Sequence, residues 1–445
     1  MAEQERWEQQ LDSFDPQERR SALEKLAASA PDLAPAGENV NLHFHSFFSY
    51  NAQGWSPSRI AWEARKAGLY AAGLCDFDVL DGLEEFLAAG ELLGLRTTAN
   101  LETRVYFREY ADVEITSPGE PGVTYIMGAG FVRVPQDGTP QAEGLAALRC
   151  AAEQRNVDLI RRINPHIPSI AIDYGADVLP LTPGGTPTER HIISAYINKA
   201  TAVLGSDAAV GEFWAEVCSR PAQEISGMLG TPALDELVRS KLAKRGGLGY
   251  VQPSVDTFPP LEQFIDWVAS CGAVPMITWL DGTSGGEADG RALLESMVAK
   301  GAAALNIIPD RNWNLKDPVE KAEKIANLEA IVAVADDLGL PVNIGTEMNR
   351  SGLPFADDLS GPVLGRLKDS FLRGAQIMVG HTIMSRFAGV SYIDCDCGAA
   401  DRNHCLAAVG ALPPVTESLA DKLRAMGQKA AKVAIRDAAG VGHWM

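Results

Sequence analysis

The stretch NLHFHSFFSYNAQGWSPSRIAWEARKAGLYAAGLCDFD, residues 41–78, decides the reading of the chain. It runs from a short apolar segment carrying His43 and His45, through a helical segment, to a second apolar segment ending in Asp-Phe-Asp. Ser56 followed by Pro57 makes an N-cap and first-turn pair, and Gly68 supplies a C-terminal stop, so the spacing predicts a helix between two strands. His43 and His45 stand two apart in a strand and share one face. In a barrel strand that face points inward, toward the C-terminal mouth where such folds carry their chemistry. Two imidazoles aimed at one point suit zinc or a transition metal; they equally suit two polar residues hydrogen-bonded to loops.

The same texture continues downstream. Asp81 with Glu84 has the spacing of a capping box before GLEEFLAAGELLG, and RTTANLETRVYF returns to strand. Late in the chain GAVPMITWL, GAAALNIIP and GLPVNIGTEMN have strand length. They alternate with helical segments such as PPLEQFIDWVASC and VEKAEKIANLEAIVAVADDLG. Strands alternating with helices over short connections indicate parallel β/α units, here an α/β fold closed into a barrel. Residues 1–37 are expected to be a helical lead-in and residues 38–445 the barrel, interrupted around 145–250 by a mostly helical insertion or cap.

The 445 residues are 46% hydrophobic and 22% charged, in proportion for a globular protein. Thirty-nine basic against fifty-eight acidic residues give 39 − 58 = −19, a field that repels nucleic acid and anionic membrane surfaces but leaves a small anionic substrate open. The polar N-terminus and the lack of a long apolar run predict neither a signal peptide nor a membrane span, hence a cytoplasmic protein. Seven scattered cysteines are expected to be reduced thiols there.

His-x-His on the first strand, Asp-Phe-Asp ending the second and Glu102 on the third together resemble the PHP family, the polymerase and histidinol phosphatase domain. GTEMN, after the strand LPVNI, resembles that family's last metal motif. The resemblance spans roughly residues 38–350 and implies a distorted, TIM-like, seven-stranded β/α barrel. It also implies a hydrolase, phosphoesterase-like activity and up to three metals. Several expected ligands are replaced: Asn51 for an Asp in the first loop, Phe77 for the histidine of an Asp-His-Asp, and Asn349 for the last histidine. Tyr125 and Trp279 stand where two further histidines are common. What survives is His43, His45, Glu102 and Glu347, which correspond to one site of the three. Two neutral imidazoles and two carboxylates balance one divalent cation, and zinc, manganese or iron(II) fits that mix.

By the same resemblance His191, at the start of a helix, is a phosphate-binding candidate, although Glu189 stands where an Arg is common; Arg190 beside it could contact a phosphate or carboxylate, and a helix-capping or surface role is the alternative. Arg350, one residue past Asn349, is a second anion-binding candidate or an ordinary surface charge. His381 reads as a late-strand site residue or a buried, satisfied histidine. Cys395, Cys397, His404 and Cys405 fall within eleven residues but depart from the usual zinc spacings. No GxGxxG, GxxxxGK[ST], GxSxG or HExxH occurs. The expectation is a hydrolase of a small anionic, possibly phosphorylated, molecule acting through a single metal; its rival is a catalytically silent barrel that binds a ligand or partner.

Overall fold

A computed structural model describes residues 2–29, 33–394 and 397–442 of the chain. Seven strands form one sheet in chain order: β1 Val40–Phe44, β2 Ala71–Phe77, β3 Arg96–Tyr106, β4 Val123–Ala129, β5 Val274–Trp279, β6 Ala304–Ile307 and β7 Val342–Ile344. The sheet closes through the residues just past β7, where Glu347 N donates to His43 O at 2.8 Å and His45 N donates to Glu347 O at 2.9 Å. The architecture is the α/β barrel anticipated from the strand and helix pattern, distorted and seven-stranded as the family resemblance implied.

One strand departs from the parallel rule. β1, β2 and β3 run parallel, as do β5, β6 and β7, but β4 is antiparallel to both its neighbours. The segment between β3 and β4 contains only the short 3-10 turn Arg108–Tyr110. With no helix to carry the chain back across the sheet, the next strand must run the other way.

Local signals account for most of the connections. Ser56 caps the helix Pro57–Lys66 by accepting from Arg59 N at 2.9 Å, and Gly68 past its end takes φ +67. The capping box expected at Asp81 does not form. The helix Leu83–Leu93 starts from Gly82 without a side-chain cap, and Asp81 instead pairs with Arg149 at 2.9 Å. A tertiary ion pair has won over the local one.

The helices Pro140–Ile163, Glu189–Leu204, Asp207–Cys218 and Pro232–Leu242 lie between β4 and β5 and bury their own core, which includes Ile163, Tyr196, Trp214 and Leu242. This layer leans on the loops that leave β1 and β2. Thr182 Oγ1 donates to Phe47 O at 3.0 Å, and Arg155 Nη2 to Asp78 Oδ2 at 3.2 Å. It therefore sits at the C-terminal mouth of those strands. At the N-terminus the helices Ala2–Gln10 and Pro16–Ser29, with Leu11, Leu23 and Leu26, pack against Ile60, Trp62 and Phe86 on the barrel flank.

Two expectations about side chains change. Cys397 is disulfide-bonded, so the thiols are not all reduced, while Cys75, Cys150, Cys218, Cys271 and Cys405 are free. Cys395 lies outside the described residues. His404 and Cys405 are consecutive on the helix Ala399–Gly410, one exposed and the other buried, so they face apart; among the described residues neither belongs to a group able to hold a metal. His381 lies on the helix Lys368–Ile383 and is fully satisfied. Its Nε2 donates to Gly130 O and its Nδ1 accepts from Tyr392 N, each at 3.0 Å, and burial pushes its pKa down to about 4. It is a neutral structural histidine. Among the described residues no helix is long and apolar enough to cross a membrane.

Candidate metal centre

β1 and the residue after it carry Asn41, His43 and His45 on the inward face, β3 brings Glu102, and the turn after β7 brings Glu347. Each of His43, His45, Glu102 and Glu347 is buried and offers one ligand atom, and these atoms all lie within 4.8 Å of one another. Nε2 of His43 and Nε2 of His45 each lie 3.5 Å from Glu102 Oε2. Ligand atoms about 2.1 Å from a shared tetrahedral ion are separated by about 3.4 Å. These three atoms are buried without a hydrogen-bond partner among the described residues. Orphaned polar atoms at this depth are costly, and here they converge on one point.

The outer contacts set which nitrogen faces the point. Ser49 Oγ donates to Asp76 Oδ1 at 2.7 Å, so its oxygen must accept from His45 Nδ1, 3.2 Å away. His43 Nδ1 lies 3.4 Å from Asn306 Oδ1, an acceptor that also receives Asn343 Nδ2 at 2.8 Å. Both imidazoles thus carry a hydrogen on Nδ1 and turn Nε2 inward, the arrangement that metal-ligating histidines adopt. Asp76 accepts in addition from Ser46 N and Ser46 Oγ, each at 2.7 Å, which fixes the loop after β1 onto β2.

Charge divides the two imidazoles: burial disfavours a charged His43, yet Cys75 and Glu102 alongside raise its pKa well above the ordinary value, so an ion at this point would compete with a proton there. Burial, with His43 alongside, drives the pKa of His45 down to about 3. Burial raises Glu102. Burial would raise Glu347 too, but Arg311 and then the two histidines hold it down to about 2. Arg311 Nη2 donates to Glu347 Oε2 at 2.8 Å.

The residues at the positions where the resemblance would place further ligands are otherwise engaged or simply packed. Asn51 braces its loop, donating to His45 O at 2.8 Å and accepting from Gln53 N at 2.8 Å. Phe77 stacks on the imidazole of His45 with centroids 4.6 Å apart and planes 13° from parallel, and Tyr125 follows at 6.2 Å from Phe77. Trp279 is buried and Asn349 half-buried. Aromatic rings therefore fill the space beside His45.

The anion-binding candidates separate. His191 forms a capping box with Thr188, its Nδ1 accepting from Thr188 N at 3.0 Å, and burial lowers its pKa to about 4. Arg190 donates to Glu236 at 2.7 Å and lies 5.4 Å over the ring of Tyr50, which meets His191 edge-on at 5.2 Å. This pair thus clamps the loop after β1; among the described residues neither hydrogen-bonds one of the four ligands, although the Arg190 charge helps to depress His45. Arg350 is exposed and has no ion-pair partner among the described residues. The residues that sequence reading missed are Arg311, Ser49, Asp76 and Asn306. Arg311 had one usable signal: it follows the end of β6, and residues after parallel strand ends face the mouth.

No family model matches the chain, and no curated protein matches it. Among solved structures it is similar to an amidohydrolase from Chromobacterium violaceum with bound sulfate and no metal, at 18% identity and a TM-score of 0.49, over 75% of this chain and 96% of that one. It is similar also to a protein described as a "putative metal-dependent phosphoesterase" from Bifidobacterium adolescentis, at 18% identity and a TM-score of 0.45, over 75% of this chain and 98% of that one.

Proposed function

We propose that the protein is a metal-dependent hydrolase of the PHP type, acting on a small anionic molecule through one divalent ion held by His43, His45, Glu102 and Glu347. The observation that carries this reading is the convergence of three buried, unpartnered ligand atoms, two of them bare imidazole nitrogens whose tautomers are set from behind. A divalent ion at that point would supply Lewis acidity and a water acidified toward neutrality. The chain contributes the rest. Ser49 and Asn306 orient the imidazoles, Phe77 covers one side of His45, and Arg311 keeps Glu347 ionised. Zinc, manganese and iron(II) all suit two imidazoles and two carboxylates.

The helical layer of residues 145–250 would act as a cap over this mouth, with residues 1–37 as a lead-in to the barrel. A net charge of −19 supports a small substrate rather than nucleic acid or a membrane surface, and a cytoplasmic setting goes with it.

The test replaces two ligands, His45→Ala and Glu102→Gln, and measures metal content, melting temperature and turnover. Phosphate esters, cyclic phosphodiesters, lactones and amides form the substrate panel. Loss of bound metal and of turnover at nearly unchanged melting temperature is expected, because a mouth-bound ion does not hold a core of this size together. A wild type that takes up no zinc, manganese or iron under any loading condition would sink the reading in favour of a silent, ligand-binding barrel.

A further inference from the structure

Arg311 stands apart from the other cations near the mouth in what it is paired with. Arg104 is held by Glu120 at 3.0 Å, Arg190 by Glu236 at 2.7 Å and Arg239 by Glu189 at 2.7 Å, none of which belongs to the ligand cluster. Arg311 has Glu347 as its carboxylate partner among the described residues, and Glu347 is itself one of the four ligands. A guanidinium carries five N–H donors, of which this contact uses one. Its side chain is 41% exposed where that of Glu347 is 10% exposed, so the remaining donors reach solvent at the mouth.

Charge counting gives this arrangement a direction. Two neutral imidazoles and two carboxylates cancel a dication, so with an ion bound the Arg311 charge is left over at the mouth. We infer that Arg311 is an anion-binding residue of this site, gripping through its free N–H groups an oxyanion of the molecule seated over His43, His45, Glu102 and Glu347. The role rests on the metal reading above. It assigns the task expected of Arg190, His191 or Arg350 to a residue on the short helix Asp310–Trp313, and it selects a substrate that bears a phosphate- or carboxylate-type group next to the reacting centre.

The experiment titrates inorganic phosphate into manganese-loaded wild type, Arg311→Met and Arg311→Lys. Metal content is measured on the same samples. The expected result is at least a tenfold weaker phosphate affinity in Arg311→Met at equal metal content, partial recovery in Arg311→Lys, and weakening of wild-type affinity with added salt. Phosphate affinity in Arg311→Met equal to wild type at equal metal content overturns the anion role alone. So does a loaded wild type that fails to bind phosphate, or an Arg311→Met protein that loses its metal, since Arg311 would then serve only to hold Glu347. A wild type that takes up no metal overturns the metal reading, and this role falls with it.

Discussion

Phe77 lies parallel to the imidazole of His45 at 4.6 Å, on the side where a further histidine ligand would be expected from the family resemblance. A phenyl ring donates no lone pair, and its stacking occupies the space a second ion would need. Metal analysis of protein saturated with zinc or manganese should therefore find no more than one ion per chain at this site. Two or three ions bound there would show that Asn51, Phe77 and Asn349 have been given the wrong places.

Gly345 makes the junction between β7 and β1 possible. A Cβ at this position would come within 2.3 Å of the His43 Cβ and 2.6 Å of the His43 nitrogen. Just beyond it Glu347 and Met348 both hold left-handed φ, +63 and +52, a strained pair that costs about 1–3 kcal/mol per residue and is kept by the two backbone bonds to His43 and His45. Gly345→Ala should lower stability by about 1–3 kcal/mol in urea unfolding and weaken metal uptake together, because it pushes His43 and Glu347 apart. Unchanged metal affinity in that variant would mean that the junction does not set the ligand geometry.

Legibility of the site follows from what kind of element carries each residue. His43, His45 and Glu102 sit in or at the end of strands whose apolar pattern places them, and Glu347 follows a strand end. Arg311 belongs to a four-residue helix with no periodicity to read, and its partner lies 36 positions further on. Arg350 misleads for the opposite reason. Its one signal is adjacency to Asn349, and the two left-handed residues before Asn349 turn the chain so that Arg350 is left exposed. The reversal of β4 could not be read at all, since an apolar run has no direction until its connections are known.

Behind His45, Ser49 and Asp76 form a chain of hydrogen bonds that fixes the Nδ1 hydrogen. Outer partners of this kind are worth about 10–100-fold in metal affinity. Ser49→Ala should weaken metal binding within that range by calorimetric titration while leaving the ligand set intact, and Ser49→Thr should restore most of it. Equal affinities for the wild type and Ser49→Ala would show that Phe77 and Glu102 alone are enough to hold the imidazole.

Asp357 supplies the clearest pH dependence. Its side chain is 1% exposed, one oxygen accepts from Trp313 Nε1 at 3.1 Å, and the other has no partner among the described residues. Burial raises its pKa to about 7, with Trp313 opposing and the nearby Asp310 adding to the rise. An unfolded aspartate loses its proton near pH 3.9. Between about pH 4 and 7 the folded chain therefore keeps a proton that the unfolded chain has released, so stability is greatest at the acid end of that window and falls as pH rises, by up to about 4 kcal/mol from this group. Buried Glu287, also raised to about 7, acts in the same direction, which is why the variant and not the wild-type profile isolates Asp357. Asp357→Asn retains an oxygen for Trp313 and cannot ionise. Urea unfolding at pH 5 and pH 8 should show the variant close to or slightly below wild type at the lower pH and more stable than wild type at the higher one. A stability difference that does not change with pH would mean that Asp357 is ionised, or protonated, to the same extent in the folded and unfolded chain.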